Sequence, residues 1–469
     1  MTLLSDLRDL IGDQYVLTGD DMAKWQSDWT GKYASTPIAV VRPANTAEVS
    51  GILRLANAAG MPVVPVSGNT GLVGGAYADG MLKLSLDRMN AIREIRPKGR
   101  VAVVEAGVIL ANIHTATEEH GLIFPLTFGA KGSTMVGGFL STNAGGSNVL
   151  RYGNTRDLVL GLEVVLADGR IMNLMSELHK DNSGLNLRHL MIGAEGTLGV
   201  ITAAVLKLKP KPQAYATATL AVRSLEDALG LLNRMQIETG GAVEAFEYMP
   251  RNYIDGHLSI IPGAKPPFDQ TYDVNILIEG GATAPRDATP APDGSVPVVT
   301  QLEDALASMF EDGTLLDAVV AQNETQRREM WARREAAAEI ARHKTPFVDT
   351  DIALPLDKVA TFFDMVRPRI QALDPDVTEG TVAHLGDGNI HFSMYPSRKD
   401  DDLNDALMEA VEDVVQTLGG SFSAEHGIGL SKLSSMRRRK DPVAVDVMRA
   451  IKATLDPKNI LNPGKVIPD

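Results

Sequence analysis

Residues 129–157 read GAKGSTMVGGFLSTNAGGSNVLRYGNTRD, and seven of them are glycine. Ser, Thr and Asn fill much of the rest, with little charge and no sustained apolar period, so the stretch is neither an ordinary helix nor a strand. Glycine reaches positive φ and lets backbone approach a ligand closely. Successive backbone amides in such turns form concave sites for anions. A flexible loop is the alternative. Met135, Val136, Phe139 and Leu140 nevertheless give the stretch apolar anchors, and long structureless loops in compact domains are uncommon unless functional. The stretch reads as a ligand cradle, and the rest of the chain as what surrounds it.

Two further Gly-rich turns flank it in sequence. Residues 67–76, SGNTGLVGGA, follow an apolar strand at 62–66, and residues 193–202, GAEGTLGVIT, run into another strand. Glycines at 193, 196 and 199 have the wrong spacing for a Rossmann fingerprint, and no Walker A sequence occurs. A pyrophosphate held here must be held by several turns at once.

Composition bounds the chemistry. Two or three domains are expected over 469 residues. A formal charge of −14 argues against nucleic acid or an anionic membrane as the main partner. An anionic substrate then needs a local site made of Arg, metal or backbone amides. With no cysteine, disulfides, thiolate nucleophiles and Cys-ligated zinc or iron–sulfur clusters are excluded. Residues 1–15 carry acids inside their apolar stretch, unlike a secretory signal. No run of 18 apolar residues is present to form a transmembrane segment. A cytoplasmic protein is the expectation, with peripheral membrane attachment left open.

Taken in order, residues 3–11 read as an amphipathic helix and 38–41 as a buried strand. Thr46 reads as the cap of a helix with Val49, Ile52, Leu53 and Ala56 inside. Residues 81–85 and 101–105 are strand-like, and Asp168-Gly169 marks a hairpin. Residues 207–212, KLKPKP, read as a linker. Beyond it, strands at 217–222, 243–249, 274–279 and 347–354 are interspersed with helices at 225–235, 324–342 and 356–373. This half reads as α+β, with helices laid on an antiparallel sheet. Residues 282–299, rich in Pro, Ala and Asp, read as an exposed insertion.

The sharpest chemical signal is AHLGDGNIHF, residues 383–392. Asp387-Gly388 suits a two-residue type I′ turn. That turn sets His384 opposite His391 on one sheet face, with Cβ atoms roughly 4.5–5.5 Å apart. Two imidazoles so placed can chelate one metal ion; ordinary cross-strand histidines are the alternative. Residues 423–429, SAEHGIG, offer Glu425 and His426. In an extended segment these two point to opposite sides, one toward a metal and the other toward a reacting carbon. A His₂Glu set leaves a coordination position open, as catalytic sites do. A solvated surface turn is the other reading of this segment.

Together PVVPVSGNTGLVGGA, residues 129–157, HLMIGAEGTLGVIT, AHLGDGNIHF, SAEHGIG and LDPKNILNPGKV resemble the FAD-linked D-2-hydroxyacid dehydrogenases. That family includes D-lactate dehydrogenase, D-2-hydroxyglutarate dehydrogenase and the glycolate oxidase FAD subunit, within the vanillyl-alcohol oxidase-type flavoproteins. The resemblance runs from about residue 35 to the C-terminus in the family's order. It implies a two-part FAD-binding domain of vanillyl-alcohol oxidase type, from residues 1–212 and 413–469. An antiparallel-sheet cap domain with helices, residues 213–412, would lie between those parts in sequence.

The resemblance also implies residue roles. Ser67, Gly68, Asn69, Thr70, Gly71 and Leu72 would wrap the FAD pyrophosphate, with Pro65 beside them. Pro125, Gly132, Ser133, Gly137 and Gly138 would line FAD, as would Ser141, Ala144, Gly145 and Gly146. Glu195, Gly196, Gly199 and Ile201 would hold its other side, and Asn462 and Lys465 would close the site. His384, His391 and Glu425 would ligate zinc or manganese, which agrees with the hairpin argument. His426 would be the base and Asn389 a substrate contact. The implied reaction is oxidation of a small 2-hydroxy acid to the 2-oxo acid, with hydride transfer from Cα to flavin N5. A quinone, a cytochrome or an electron-transfer flavoprotein would accept the electrons; a homodimer stays open.

Substrate choice departs from one branch of the family. There a W-x-x-R-E helix supplies an Arg, then a Thr four residues on and a Lys fifteen on, for a distal carboxylate. Here Trp331 and Arg334 match, but Ala338 and Asp349 occupy the other two positions. An Asp in place of Lys repels a second carboxylate. A monocarboxylate such as D-lactate is therefore favoured over D-2-hydroxyglutarate. Arg334 either steers the acid or is a solvated helix charge. An O₂-using oxidase, a metallohydrolase and a non-catalytic flavin-binding subunit are the alternatives. Some superfamily members attach FAD to a His in the first Gly-rich loop, but residues 67–76 contain none. FAD should therefore be non-covalent: trichloroacetic acid precipitation should leave the yellow colour in the supernatant, and a yellow pellet would contradict this.

Overall fold

The computed structural model describes residues 2–469. Two compact units emerge. One consists of residues 2–145, Gly153–Pro210 and Glu425–Asp469, the other of Gly146–Tyr152 and Lys211–Ala424. A division at 412/413 would cut the helix Asp401–Thr417. That helix buries Leu403, Leu407, Val411, Val414 and Val415 in the second unit's core, so the chain leaves this unit only at Ala424. Gly146–Tyr152, from the opening Gly-rich stretch, also belongs there. Arg151 and Tyr152 bond the buried Glu244 at 2.7 and 2.6 Å.

The first unit holds two sheets. In the four-stranded sheet the order is Val16–Leu17, Ala39–Val41, Leu82–Ser85, Val63–Val66, with the last three strands parallel. The helix Thr46–Ala59 connects two of them and buries Val49, Ile52, Leu53 and Ala56. Its cap is Asn45, not Thr46: the Asn45 side chain accepts the Glu48 N–H, leaving Thr46 as the first helical residue. Gly60, at φ +64, ends it in the left-handed region. The five-stranded sheet is antiparallel throughout, in the order Ile92–Arg96, Val101–Glu105, Val200–Lys207, Val159–Val165, Ile171–Leu174. Its last two strands form the hairpin expected at Asp168-Gly169. The tail returns to the first sheet through a parallel bridge, Val63 to Leu461.

The second unit is an antiparallel seven-stranded sheet with helices. Its order is Leu315–Val320, Ala214–Val222, Val274–Ala282, Val243–Pro250, Thr378–His384, Asn389–Tyr395, Val348–Ala353. Side chains alternate between faces along each strand, and here the faces differ in kind. One carries Leu220, Phe246, Tyr248, Ile276, Ile278, Ile352, Ile390, Phe392 and Met394, packed with the residues of five helices into the main core. The other carries Glu247, Glu279, Asp351, His384, Asn389 and His391. Of residues 282–299 only the middle, 289–295, is the exposed segment expected; the ends hold the helix Pro285–Ala288 and begin Pro297–Glu311, with Ala288 and Val298 buried in this core. The expected helix at 324–342 is two, Glu324–Glu335 and Ala337–Arg342, divided at Ala336. Among the described residues no helix is long and apolar enough to cross a membrane.

In the first unit Lys83 is 2% exposed, and its Nζ donates to Trp25 O at 2.6 Å. Burial outweighs the attraction of Asp28 and pulls the ammonium pKa down to about 8. The ordinary value is 10.5. Between these limits the unfolded chain holds a proton that the folded chain has released, so stability rises with pH from about 8 to 10.5. Lys83→Met should reduce that rise in denaturant titrations; an unchanged slope would show that Lys83 does not titrate this way.

Candidate active site

The polar sheet face is organised by two buried acids. Glu247 has no exposed surface, and a carboxylate there must be answered by cations and donors. Arg334 Nε donates to Glu247 Oε2 at 2.7 Å, and His384 Nδ1 lies 2.9 Å from Glu247 Oε1. Burial works against the Glu247 charge, but His384 and Arg334 prevail and hold its carboxyl below the usual range. Glu279 is answered in the same way. Arg327 grips both its oxygens at 2.7 Å, while Trp331 Nε1 and Thr217 Oγ1 donate at 2.8 and 2.6 Å. Arg327, Trp331 and Arg334 stand at i, i+4 and i+7, on one face of the helix Glu324–Glu335. Arg334 is only 7% exposed, which removes the reading of it as a solvated helix charge.

The hairpin brings the two histidines together, but not in the expected register. His384 pairs with Asn389, and His391 with Val382. The turn takes four residues, 385–388, because its backbone bonds outward. Gly386 N–H donates to Phe246 O, and Gly388 O accepts Leu354 N–H. A slip of two residues preserves the face, so the imidazoles stay neighbours, with ring centroids 5.5 Å apart and planes at 78°. Where Nδ1–H of His384 donates to Glu247, Nε2 presents its lone pair. Asp351 lies directly opposite His391 and is 1% exposed, with Oδ1 3.9 Å from His391 Nδ1. Asn389 Nδ2 donates to Asp351 Oδ1 and Ile352 O, both at 3.0 Å. It therefore holds Asp351 in place.

Glu425 and His426 begin the last segment of the first unit. The chain bends here instead of running extended, so the two side chains converge. His426 Nε2 lies 3.7 Å from Glu425 Oε1. Gly427, at φ +83, permits the change of direction.

The Gly-rich turns of the first unit meet backbone to backbone. A Cβ on Gly68 would strike Ser133 O, and one on Gly137 would lie 2.7 Å from Ser67 Oγ. The first loop is pinned by Asn69 Nδ2 to Ser27 O at 2.8 Å and by Trp29 Nε1 to Thr70 O at 3.0 Å. Ser141 O accepts the Glu195 N–H, and Ala144 O that of Thr155. Pro125 is buried, whereas Gly132 and Ser133 are exposed. Gly145 ends a first-unit segment, and Gly146 begins one of the second. Gly196 leaves room for Pro65, Gly199 leaves room for Val164, and Ile201 is buried in a strand. Asn462 Nδ2 donates to Gly75 O and Glu195 O, and Lys465 is buried.

These residues fit an FAD cradle on two counts. Gly71 and Gly132 face open space where a Cβ would stand, and buried Asn462 Oδ1 has no hydrogen-bond donor among the described residues. The family model for the C-terminal domain of FAD linked oxidases matches residues 211–466, and that of an FAD binding domain matches residues 37–175. The chain belongs to the FAD-linked oxidase family. It is an oxidoreductase of that family. A protein named D-2-hydroxyglutarate dehydrogenase from Stutzerimonas stutzeri (strain A1501) is 34% identical, over 99% of this chain and 98% of the relative. The mitochondrial proteins of the same name from Danio rerio and Arabidopsis thaliana are 36% and 34% identical over 99% of this chain, covering 85% and 81% of their own lengths. Among solved structures, p-cresol methylhydroxylase with substrate bound has the same fold. The TM-score is 0.75 at 15% identity, over 100% of this chain and 96% of that one.

Glu247 and Asp351 escaped the sequence reading. Their signal was present: an acid one step from an apolar residue along a strand, Glu247 after Phe246 in VEAFEYMP and Asp351 before Ile352 in VDTDIA. Glu247→Ala would leave Arg334 and His384 buried without their carboxylate. A loss of about 3–5 kcal/mol is expected in denaturant unfolding of the second unit. A loss under about 1 kcal/mol would mean that water replaces the carboxylate.

Proposed function

We propose that this FAD-linked oxidoreductase converts a D-2-hydroxy acid to the 2-oxo acid with the help of a divalent metal. One observation carries the reading: adjacent His384 and His391 on a buried polar sheet face, with His384 oriented by Glu247. The names of the relatives support the substrate class. Bound FAD supplies the hydride acceptor. His384, His391 and Glu425 would hold zinc or manganese, and such an ion lowers the pKa of a bound hydroxyl. His426 would take the hydroxyl proton as general base. Asn389 would act by orienting Asp351 beside His391, as well as or instead of touching substrate. A quinone, cytochrome or electron-transfer flavoprotein would then reoxidise the protein.

The residues favour a monocarboxylate such as D-lactate. The charge of Arg334 is already matched by Glu247, and Asp349 is exposed on the same face of its strand as Asp351. A second distal carboxylate would meet that acid. The relatives' names favour the second reading, D-2-hydroxyglutarate. Anaerobic absorbance spectra decide between them. Flavin bands should bleach with D-2-hydroxy acids and not with their L-enantiomers, and kcat/KM should be higher for D-lactate. A strong preference for D-2-hydroxyglutarate would establish the second reading. Flavin bands that no 2-hydroxy acid bleaches would overturn both.

A further inference from the structure

Glu195 lies in the third Gly-rich turn, GAEGTLG, where the family resemblance makes it a flavin contact. Its backbone is fixed on both sides in the left-handed region, at φ +49. The Glu195 N–H donates to Ser141 O at 2.9 Å, and its carbonyl accepts from Asn462 Nδ2 at 2.8 Å. A residue held this way has its side chain aimed by the backbone. The aim is toward the segment that follows His426. Oε1 accepts the Ile428 N–H at 2.7 Å, and Oε2 accepts the Gly429 N–H at 2.9 Å. Two successive amides on the two oxygens of one carboxylate make a closed anion nest. Gly427 is pressed against the same group: a Cβ there would lie 2.7 Å from Glu195 Oε1.

The segment is gripped from other directions as well. Leu430 N–H donates to Val73 O at 2.8 Å, and Gly429 O accepts the Val466 N–H at 3.1 Å. A Cβ on Gly429 would strike Val73 O. Of these grips, only the carboxylate of Glu195 is a side chain, and it meets the chain two and three residues beyond His426.

We infer that Glu195 is a positioning residue for His426: its carboxylate clamps the 427–429 backbone and so sets where the imidazole stands. The inference rests on His426 being the base of the proposed function. It assigns the GAEGTLG and SAEHGIG motifs to one device, with the first holding the second.

The test uses FAD-loaded wild-type protein, Glu195→Ala and Glu195→Gln. Three quantities are read: hydrogen exchange in the peptide containing Ile428 and Gly429, the FAD-to-protein ratio, and single-turnover flavin reduction by D-lactate and D-2-hydroxyglutarate. Gln keeps one acceptor and turns an N–H toward another, so it should act as a partial variant. In Glu195→Ala the two amides should exchange faster and FAD should stay bound. The reduction rate at saturating substrate should fall about 10²-fold, with half-saturation changed less than about threefold. Glu195→Gln should fall between Ala and wild type, and it carries the test if Ala fails to fold. Unchanged exchange overturns the inference, as does a normal rate despite faster exchange. Loss of FAD in proportion to loss of rate overturns it too, because Glu195 would then be a cofactor contact. Failure of the proposed function reads differently: the wild-type flavin would resist every 2-hydroxy acid, and the inference would fall with it before any variant is compared.

Discussion

A carboxylate with no access to water has to be neutralised where it stands, and Glu247 is such a group. Its two partners come from distant parts of the chain, Arg334 from a helix and His384 from the neighbouring strand. Each then has a fixed place because Glu247 has one. The helix Glu324–Glu335 cannot roll, since Arg327 and Trp331 are held by Glu279 on the same face. His384 cannot turn freely, since Nδ1 is engaged. Breaking such a buried group on one side costs several kcal/mol.

The two faces of that sheet divide the work. Phe362, Phe363 and Phe392 form a cluster of tilted and edge-on rings, with centroids 5.3 to 6.2 Å apart. That packing is part of the hydrophobic core that stabilises the unit. Residues one step along the same strands point the other way and are polar or charged: His391 beside Phe392, Asp351 beside Ile352, Glu247 beside Phe246. Strand alternation thus sets a titratable cluster directly on a close-packed support.

The first unit solves a different problem, that of bringing Gly-rich turns together with the short helix Val136–Thr142 that the opening stretch forms. Glycine does this where a side chain would collide with a neighbouring segment, with the backbone of Ser133 at Gly68 and with the Ser67 hydroxyl at Gly137. Where no neighbour stands, as at Gly71 and Gly132, the same residue type leaves open space. One residue type serves both purposes, and composition alone does not distinguish them. Gly199 shows this, since it leaves room for Val164 of the five-stranded sheet.

Much of this was legible in the sequence. Glycine enrichment, the absence of a Rossmann spacing, and two histidines around Asp387-Gly388 pointed to the cradle and to a histidine pair on one face. These are local properties, set by backbone φ and by the period of two along a strand. The register of that hairpin was not legible, because outside strands supply the partners of its turn, Phe246 and Leu354. Nor was the burial of Arg334, which depends on an acid 87 residues away. The convergence of Glu425 and His426 followed from a bend at residues 424–426, where the sequence reads as extended. Sequence determined which side chains are available and which face of a strand each takes. Tertiary structure decided which charges meet, because a buried charge takes the partner that the whole fold brings to it.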